Sequence, residues 1–250
     1  MWDGQGWKKW RLAVKLDPDK KPSEDVFEII KDRNVDAVII GGTQGITIDN
    51  TERLIHSVRL SGFEGPLAQE ISAEDVVVPG VDAHLIPVVL NAGTKRWLLD
   101  AHLSAIKKYG EFIRWSRVLT EGYLVCNGDS AVGRLTGAVG ITVEDAVAYT
   151  ILAEEIYHLP LLYIEYSGVF GDIELISAVS RARKDIHLVY GGGIKTPGQL
   201  WKVASLVDTV VIGNILYEDP RQARVVIESF TAGRMGNYLA TVPGGMGNYE

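Results

Sequence analysis

Eight short apolar, β-branched runs recur along the chain, and most are separated by a stretch patterned as an amphipathic helix. The runs are RLAVKL (11–16), DAVII (36–40), PLAQEI (66–71), HLIPVV (84–89), GYLVC (122–126), LLYIE (161–165), HLVYG (187–191) and DTVVIG (208–213). Helical patterns occupy 23–33, 47–60, 142–158 and 173–184. In the first of these Ser23 is the expected N-cap, and Val26, Phe27, Ile29 and Ile30 fall mostly on one face. Strands alternating with helices of this length mean βαβ units and a parallel sheet.

Such a sheet can stay open and doubly wound, or it can close. The count of eight, the length of 250 residues and the positions of the glycine-rich turns favour closure into a (β/α)8 TIM barrel. The expectation is one α/β barrel domain over 1–230, followed by a Gly-rich, flexible tail over 231–250 in which MGNY occurs twice. One unit is irregular. SAEDVVVPGVDA, between the third and fourth runs, contains Pro79-Gly80 and leaves little room for a helix. The third helix is therefore expected to be missing or replaced by an extended segment, exposing apolar barrel surface on that side.

Composition excludes some functions. A net charge of -7 argues against a nucleic-acid partner, whose phosphates call for a basic face. The single cysteine, Cys126, cannot form an intramolecular disulfide and reads as a small buried hydrophobe, compatible with a reducing, cytoplasmic setting. No run reaches the length of a membrane span, and the N-terminus has no secretory pattern. Trp2, Trp7 and Trp10 beside Lys8 and Lys9 suit either the closed bottom of a barrel or transient peripheral contact with a membrane surface. The five histidines are scattered without metal-ligand spacing, and Ser167 has no nucleophile-elbow motif.

In a parallel barrel the chemistry gathers where the strands end. Here those ends carry Lys15 and Asp17, GGTQGIT (41–47), Asn91, EYSG (165–168), GGGIKT (191–196) and Gly213-Asn214. Backbone N–H groups can surround a phosphate where glycine removes the blocking side chain, and the turns after strands seven and eight are common phosphate sites. Neither turn is a Walker loop or a dinucleotide fingerprint. Lys15 and Asp17, two residues apart, point the same way. The lysine can meet an anion, and the carboxylate can hold Mg2+ whose other ligands are water and substrate phosphates. Glu165, an acid inside an otherwise apolar strand, suits orientation of a polyol and general-base work. Its competing reading is a buried acid paired with a lysine. Asp17-Pro18-Asp19 is also ordinary turn chemistry.

KLDPDK, GGTQGIT, IPVVLN, LPLLYIEYSGVFGD, YGGGI and DTVVIGNILYE resemble, in order and spacing, the geranylgeranylglyceryl phosphate synthase family, above all its bacterial PcrB-type heptaprenylglyceryl phosphate synthases. The likeness runs through roughly residues 8–230 and leaves out the tail. EYSG with GGGI downstream is its most specific part. The resemblance implies a modified TIM barrel without a regular third helix, commonly a homodimer. It implies an Mg-dependent prenyltransferase that joins sn-glycerol 1-phosphate to a long polyprenyl diphosphate, heptaprenyl in the bacterial branch, through an ether bond. Lys15, Tyr163, Ile164, Glu165, Tyr166, Ser167, Gly168, Gly193, Gly213 and Asn214 would bind the glycerol phosphate, and Asp17 and Thr43 the Mg2+. Tyr166 and Ser167 would add hydroxyls near the phosphate. The prenyl chain would lie along the side lacking a helix, with Trp97 and Ala101 setting how much of it fits. Two rival readings are a sugar-phosphate barrel enzyme, including one with Lys15 as a Schiff-base lysine, and a binding protein without turnover.

Overall fold

A computed structural model describes residues 5–230. Eight parallel strands follow one another around a closed barrel: β1 (Leu12–Leu16), β2 (Ala37–Ile40), β3 (Leu67–Glu70), β4 (Ala83–Val89), β5 (Val118–Val125), β6 (Leu161–Tyr166), β7 (His187–Gly192) and β8 (Thr209–Ile212). Pairing of β8 with β1 closes it, with Ala13 opposite Val211. The helices are α1 (Glu24–Ile29), α2 (Ile48–Leu60), α3 (Asp100–Tyr109), α4 (Ala131–Thr136), α5 (Val143–Ile151), α6 (Ile173–Ala182), α7 (Pro197–Ala204), α8 (Ile215–Glu218) and α9 (Pro220–Ser229). Capping boxes at Thr47, Thr142 and Thr196 start α2, α5 and α7, each satisfying helix-end N–H groups that have no intrahelical partner.

The strand pattern now has a physical basis. Alternate residues face opposite sides, and both sides are buried. Ala13, Ile39, Ala68, Leu85, Tyr163 and Val211 fill the barrel. Val14, Val38, Leu67, Ile164, Leu188 and Ile212 pack outward against the helices. An acid or lysine in a strand therefore either faces the barrel interior or sits buried under helices.

The bottom is closed by the N-terminal segment. Trp7 and Trp10 are buried with the inner cluster, and Trp7 meets the His187 ring edge-on at 5.0 Å. Thr209 Oγ1 donates to the Trp10 carbonyl at 2.6 Å and lies 2.7 Å from His187 Nε2. Burial drives the His187 pKa down to about 4, so it plugs the barrel as a neutral ring. These two tryptophans are thus not a membrane-facing surface. Trp2 and the 231–250 tail lie outside the described residues.

No helix follows β3. The chain from 71 to 82 instead runs as an irregular strap with Val76, Val78 and Val81 buried. Gln69, buried on β3, ties it down: its amide nitrogen donates to the Val76 carbonyl at 2.6 Å and its oxygen accepts the Val78 N–H at 3.1 Å. Three boundaries differ from the sequence reading. β5 begins at Val118 rather than 122. α1 is shorter than 23–33, and Ser23 caps it without a side-chain hydrogen bond. The helix read over 142–158 passes after Ile151 into a π-turn at Leu152–Ile156.

Candidate active site

The candidate site at the C-terminal ends of the strands has three parts. At the centre, inside the barrel, sit one lysine, three acids and two tyrosines. Lys15 Nζ lies 2.6 and 2.8 Å from the two carboxylate oxygens of Glu70. It also lies 5.6 Å above the Tyr163 ring and 3.4 Å from Tyr123 Oη. Tyr123 stacks on Tyr163 with centroids 4.8 Å apart, and its hydroxyl donates to Glu165 Oε2 at 2.6 Å. The other oxygen of Glu165 accepts the Ser167 N–H. Both oxygens of this carboxylate are thus held, and its plane is set. Glu165 is paired through Tyr123, not directly with a lysine.

Burial alone would lower the Lys15 pKa, but the carboxylates of Glu70, Glu165 and Glu121 outweigh it and hold the ammonium above its ordinary range. A lysine kept charged is a poor Schiff-base nucleophile, which weighs against the aldolase-type reading. Glu121 sits deeper, with Oε1 lacking any hydrogen-bond partner. Burial, and then the charge of Glu70, push its pKa well above the ordinary carboxylate value, which favours its neutral form.

The second part is the rim over β1 and β2. The Asp17 N–H donates to Tyr217 Oη at 2.9 Å, and its Oδ1 accepts the Asp19 N–H at 3.0 Å. Partial burial raises its pKa. A Cβ at Gly42 would sit 2.4 Å from Asp17 Oδ1. A larger residue there would push the Asp17 carboxylate aside, and the same turn brings Thr43 to the rim. Among the described residues no cluster of three or more His, Cys, Asp or Glu could hold a metal. One carboxylate and one hydroxyl do fit Mg2+, which keeps most of its ligands as water and substrate phosphate oxygens.

The third part is a small cleft over β6, β7 and β8, lined by Gly168, Gly192, Gly193, Lys195, Gly213 and Asn214. Among the described residues no backbone hydrogen bond occupies the N–H groups of Gly168, Gly213 or Asn214. Lys20 Nζ donates to Asn214 Oδ1 at 3.1 Å, and Lys195 pairs with Glu218 at 3.0 Å. A cleft of glycine backbone with cations at its edge is an anion site. The glycine run also has a packing role, since a Cβ at Gly191 would lie 2.0 Å from Tyr163 Oη. Ile164 and Tyr166 face outward into the helix layer, Tyr166 beside Tyr190 at 6.2 Å. They can reach the cleft only through their backbone, so Tyr166 does not bring its hydroxyl there. Asn91 is structural: it is buried and binds both the N–H and the carbonyl of Val125.

From the same end of the barrel a groove of about 920 Å³ runs over the side that the strap leaves uncovered. Thr43 and Glu70 stand at its inner end, Trp97 and Ala101 line it, and Phe112 and Trp115 stand among its outer residues. Its walls are mostly apolar, among them Val78, Ile86 and Val88.

Glu70, Glu121 and Tyr123 went unread in the sequence. A usable signal was present, because Thr120-Glu121-Gly122-Tyr123 alternates in step with β5 once the strand is begun at Val118, and Glu70 ends β3 within the third run.

Residues 5–232 match the family described as the PcrB family. The chain belongs to the PcrB family. Relatives include the heptaprenylglyceryl phosphate synthase of Brevibacillus brevis, 42% identical over 221 residues, covering 88% of this chain and 95% of that protein. The enzyme of the same name from Anoxybacillus flavithermus is 40% identical over 221 residues, with the same coverage of 88% and 95%. Among solved structures, (S)-3-O-geranylgeranylglyceryl phosphate synthase from Thermoplasma acidophilum, in complex with its substrate sn-glycerol-1-phosphate, superposes with a TM-score of 0.75. It is 22% identical and covers 90% of this PcrB-family chain and 94% of its own, a likeness of fold.

Proposed function

We propose that the chain transfers a long polyprenyl group, heptaprenyl by analogy with its relatives, from its diphosphate to sn-glycerol 1-phosphate, forming an ether bond and releasing diphosphate. The observation that carries this reading is that a glycine-lined anion cleft, a doubly anchored buried carboxylate and the inner end of a long apolar groove all lie at the C-terminal ends of the strands. A sugar-phosphate enzyme needs the first two and has no use for the third.

In this reading the glycerol phosphate sits on the backbone of Gly168, Gly193, Gly213 and Asn214, with Lys15 reaching from Glu70 toward the polyol. The reacting hydroxyl faces Glu165. As the hydroxyl oxygen bonds to the first prenyl carbon, the carbon–oxygen bond to diphosphate breaks, and the hydroxyl proton passes to Glu165. The fixed plane of that carboxylate supplies orientation before the step. Asp17 and Thr43 would hold Mg2+, whose charge offsets that of the departing diphosphate. The apolar groove walls exclude water from the carbon that becomes electron-poor. Ala101 leaves room for a long chain. The reading includes a homodimer and a cytoplasmic enzyme that meets its donor at the membrane surface.

The test offers purified protein and Mg2+ with sn-glycerol 1-phosphate or its 3-phosphate enantiomer, and labelled geranylgeranyl, farnesylgeranyl or heptaprenyl diphosphate. An ether lipid made from the 1-phosphate alone, best with the longest donor, is expected. Folded protein that binds glycerol phosphate but makes no ether with any donor refutes the transfer.

A further inference from the structure

The outer end of the groove has a composition unlike the rest of the molecule. α3 buries none of its residues. Leu99, Leu103 and Ile106, at the start and along its length, are each nearly half exposed. The turn that follows leaves Phe112 81% exposed and Trp115 56% exposed, and both line the groove. Charge is biased here as well. Residues 107–117 carry Lys107, Lys108, Arg114 and Arg117 against Glu111, a balance of +3 in a chain of net charge -7. Two acids of the strap, Glu74 and Asp75, also line the groove, and their charges reach Lys108. With them counted, the rim is still positive.

We infer that this rim is a docking surface for an anionic lipid bilayer, with Phe112 and Trp115 entering the interface and Lys107, Lys108, Arg114 and Arg117 meeting the lipid phosphates. Aromatic rings prefer the headgroup level, and basic residues beside them add attraction to anionic lipid. Phe112, Arg114, Trp115 and Arg117 line the groove, so a prenyl chain drawn from the bilayer would enter it beside them without crossing water. The inference rests on the prenyl-donor reading above. It replaces the N-terminal tryptophans, two of which are buried, with the exposed surface at the groove's outer end, beside the start of β5.

The experiment is co-sedimentation of the full chain with sucrose-loaded vesicles of phosphatidylcholine alone, or with one third phosphatidylglycerol, across a range of salt. Binding to the anionic vesicles that fades as salt rises is expected. Lys107→Gln with Lys108→Gln should weaken it about 30-fold, at the usual contribution of a basic residue near such a surface. Phe112→Ser with Trp115→Ser should remove it. No preference for anionic vesicles, or variants that bind like the parent, overturns the inference. So does a Phe112→Ser/Trp115→Ser protein that changes from dimer to monomer in sedimentation velocity, since the patch would then join two copies. Pelleting requires no turnover, so the two claims separate. Intact vesicle binding without ether product refutes the transfer reaction alone. Intact turnover of a short donor in vesicle-free solution, by a chain that never binds vesicles, refutes the docking surface alone.

Discussion

Tyr123→Phe removes one atom from the proposed active site and leaves the packing in place. The ring keeps its stack on Tyr163, while the hydroxyl that donates to Glu165 Oε2 at 2.6 Å is lost. A hydrogen bond to a charged group contributes about 1.5–3 kcal/mol. If that energy is what holds the carboxylate plane, its loss reduces the productive orientation by about 10- to 150-fold. The Ser167 N–H still holds the other carboxylate oxygen, so a drop in kcat near the lower end, about tenfold, is expected. KM for glycerol 1-phosphate should change little, because the phosphate is bound on the glycine cleft. Steady-state assays of ether formation measure both. A variant with kcat within twofold of the parent would refute the claim that Tyr123 orients Glu165.

Other outcomes follow from the same geometry. Glu121 is neutral in the fold and ionised in the unfolded chain between the two pKa values, so the folded state binds the extra proton there and stability falls as pH rises. Glu121→Gln should therefore raise Tm at pH 8, with the gain shrinking toward pH 4.5. Each factor of ten by which the fold raises the proton affinity of Glu121 costs about 1.4 kcal/mol at high pH, or about 3–6 °C for a chain of this size. Calorimetry at the two pH values checks it, and a variant less stable than the parent at pH 8 counts against it. Ala101→Trp adds a large ring inside the groove and should cut turnover of heptaprenyl donor about tenfold or more while sparing geranylgeranyl donor. Competition between the two labelled donors is the assay, and an unchanged preference would remove Ala101 as a length gate.

Much of the architecture was legible in local pattern. Period-two alternation inside eight short runs, with helix periodicity between them, follows from the pleat and the helix pitch, which are properties of a few neighbouring residues. The missing helix after β3 was legible for the same reason, since Pro79-Gly80 leaves no helical stretch. The glycine turns over β7 and β8 could be read as candidate anion sites because glycine's freedom is local. The strap's attachment was not: it depends on Gln69, a strand residue with no outward sign of that role. The sequence pattern also drew attention to Tyr166 as a hydroxyl donor, where alternation from Glu165 in fact turns it outward.

By itself the sequence determined which residues are strand, which are turn, and which side chains share a face, because those choices are settled within one turn or one pleat. Only the closed barrel decided which faces meet. Lys15 finds Glu70 from 55 residues away, and Tyr123 finds Glu165 from 42. Neither pairing has a local signature. Each arises because strand register and closure bring inward-facing positions of β1, β3, β5 and β6 together in a space from which bulk water is excluded. There charges must find partners or, like Glu121, give up their ionisation. That convergence joins three unread residues, Glu70, Glu121 and Tyr123, to the expected Lys15 and Glu165.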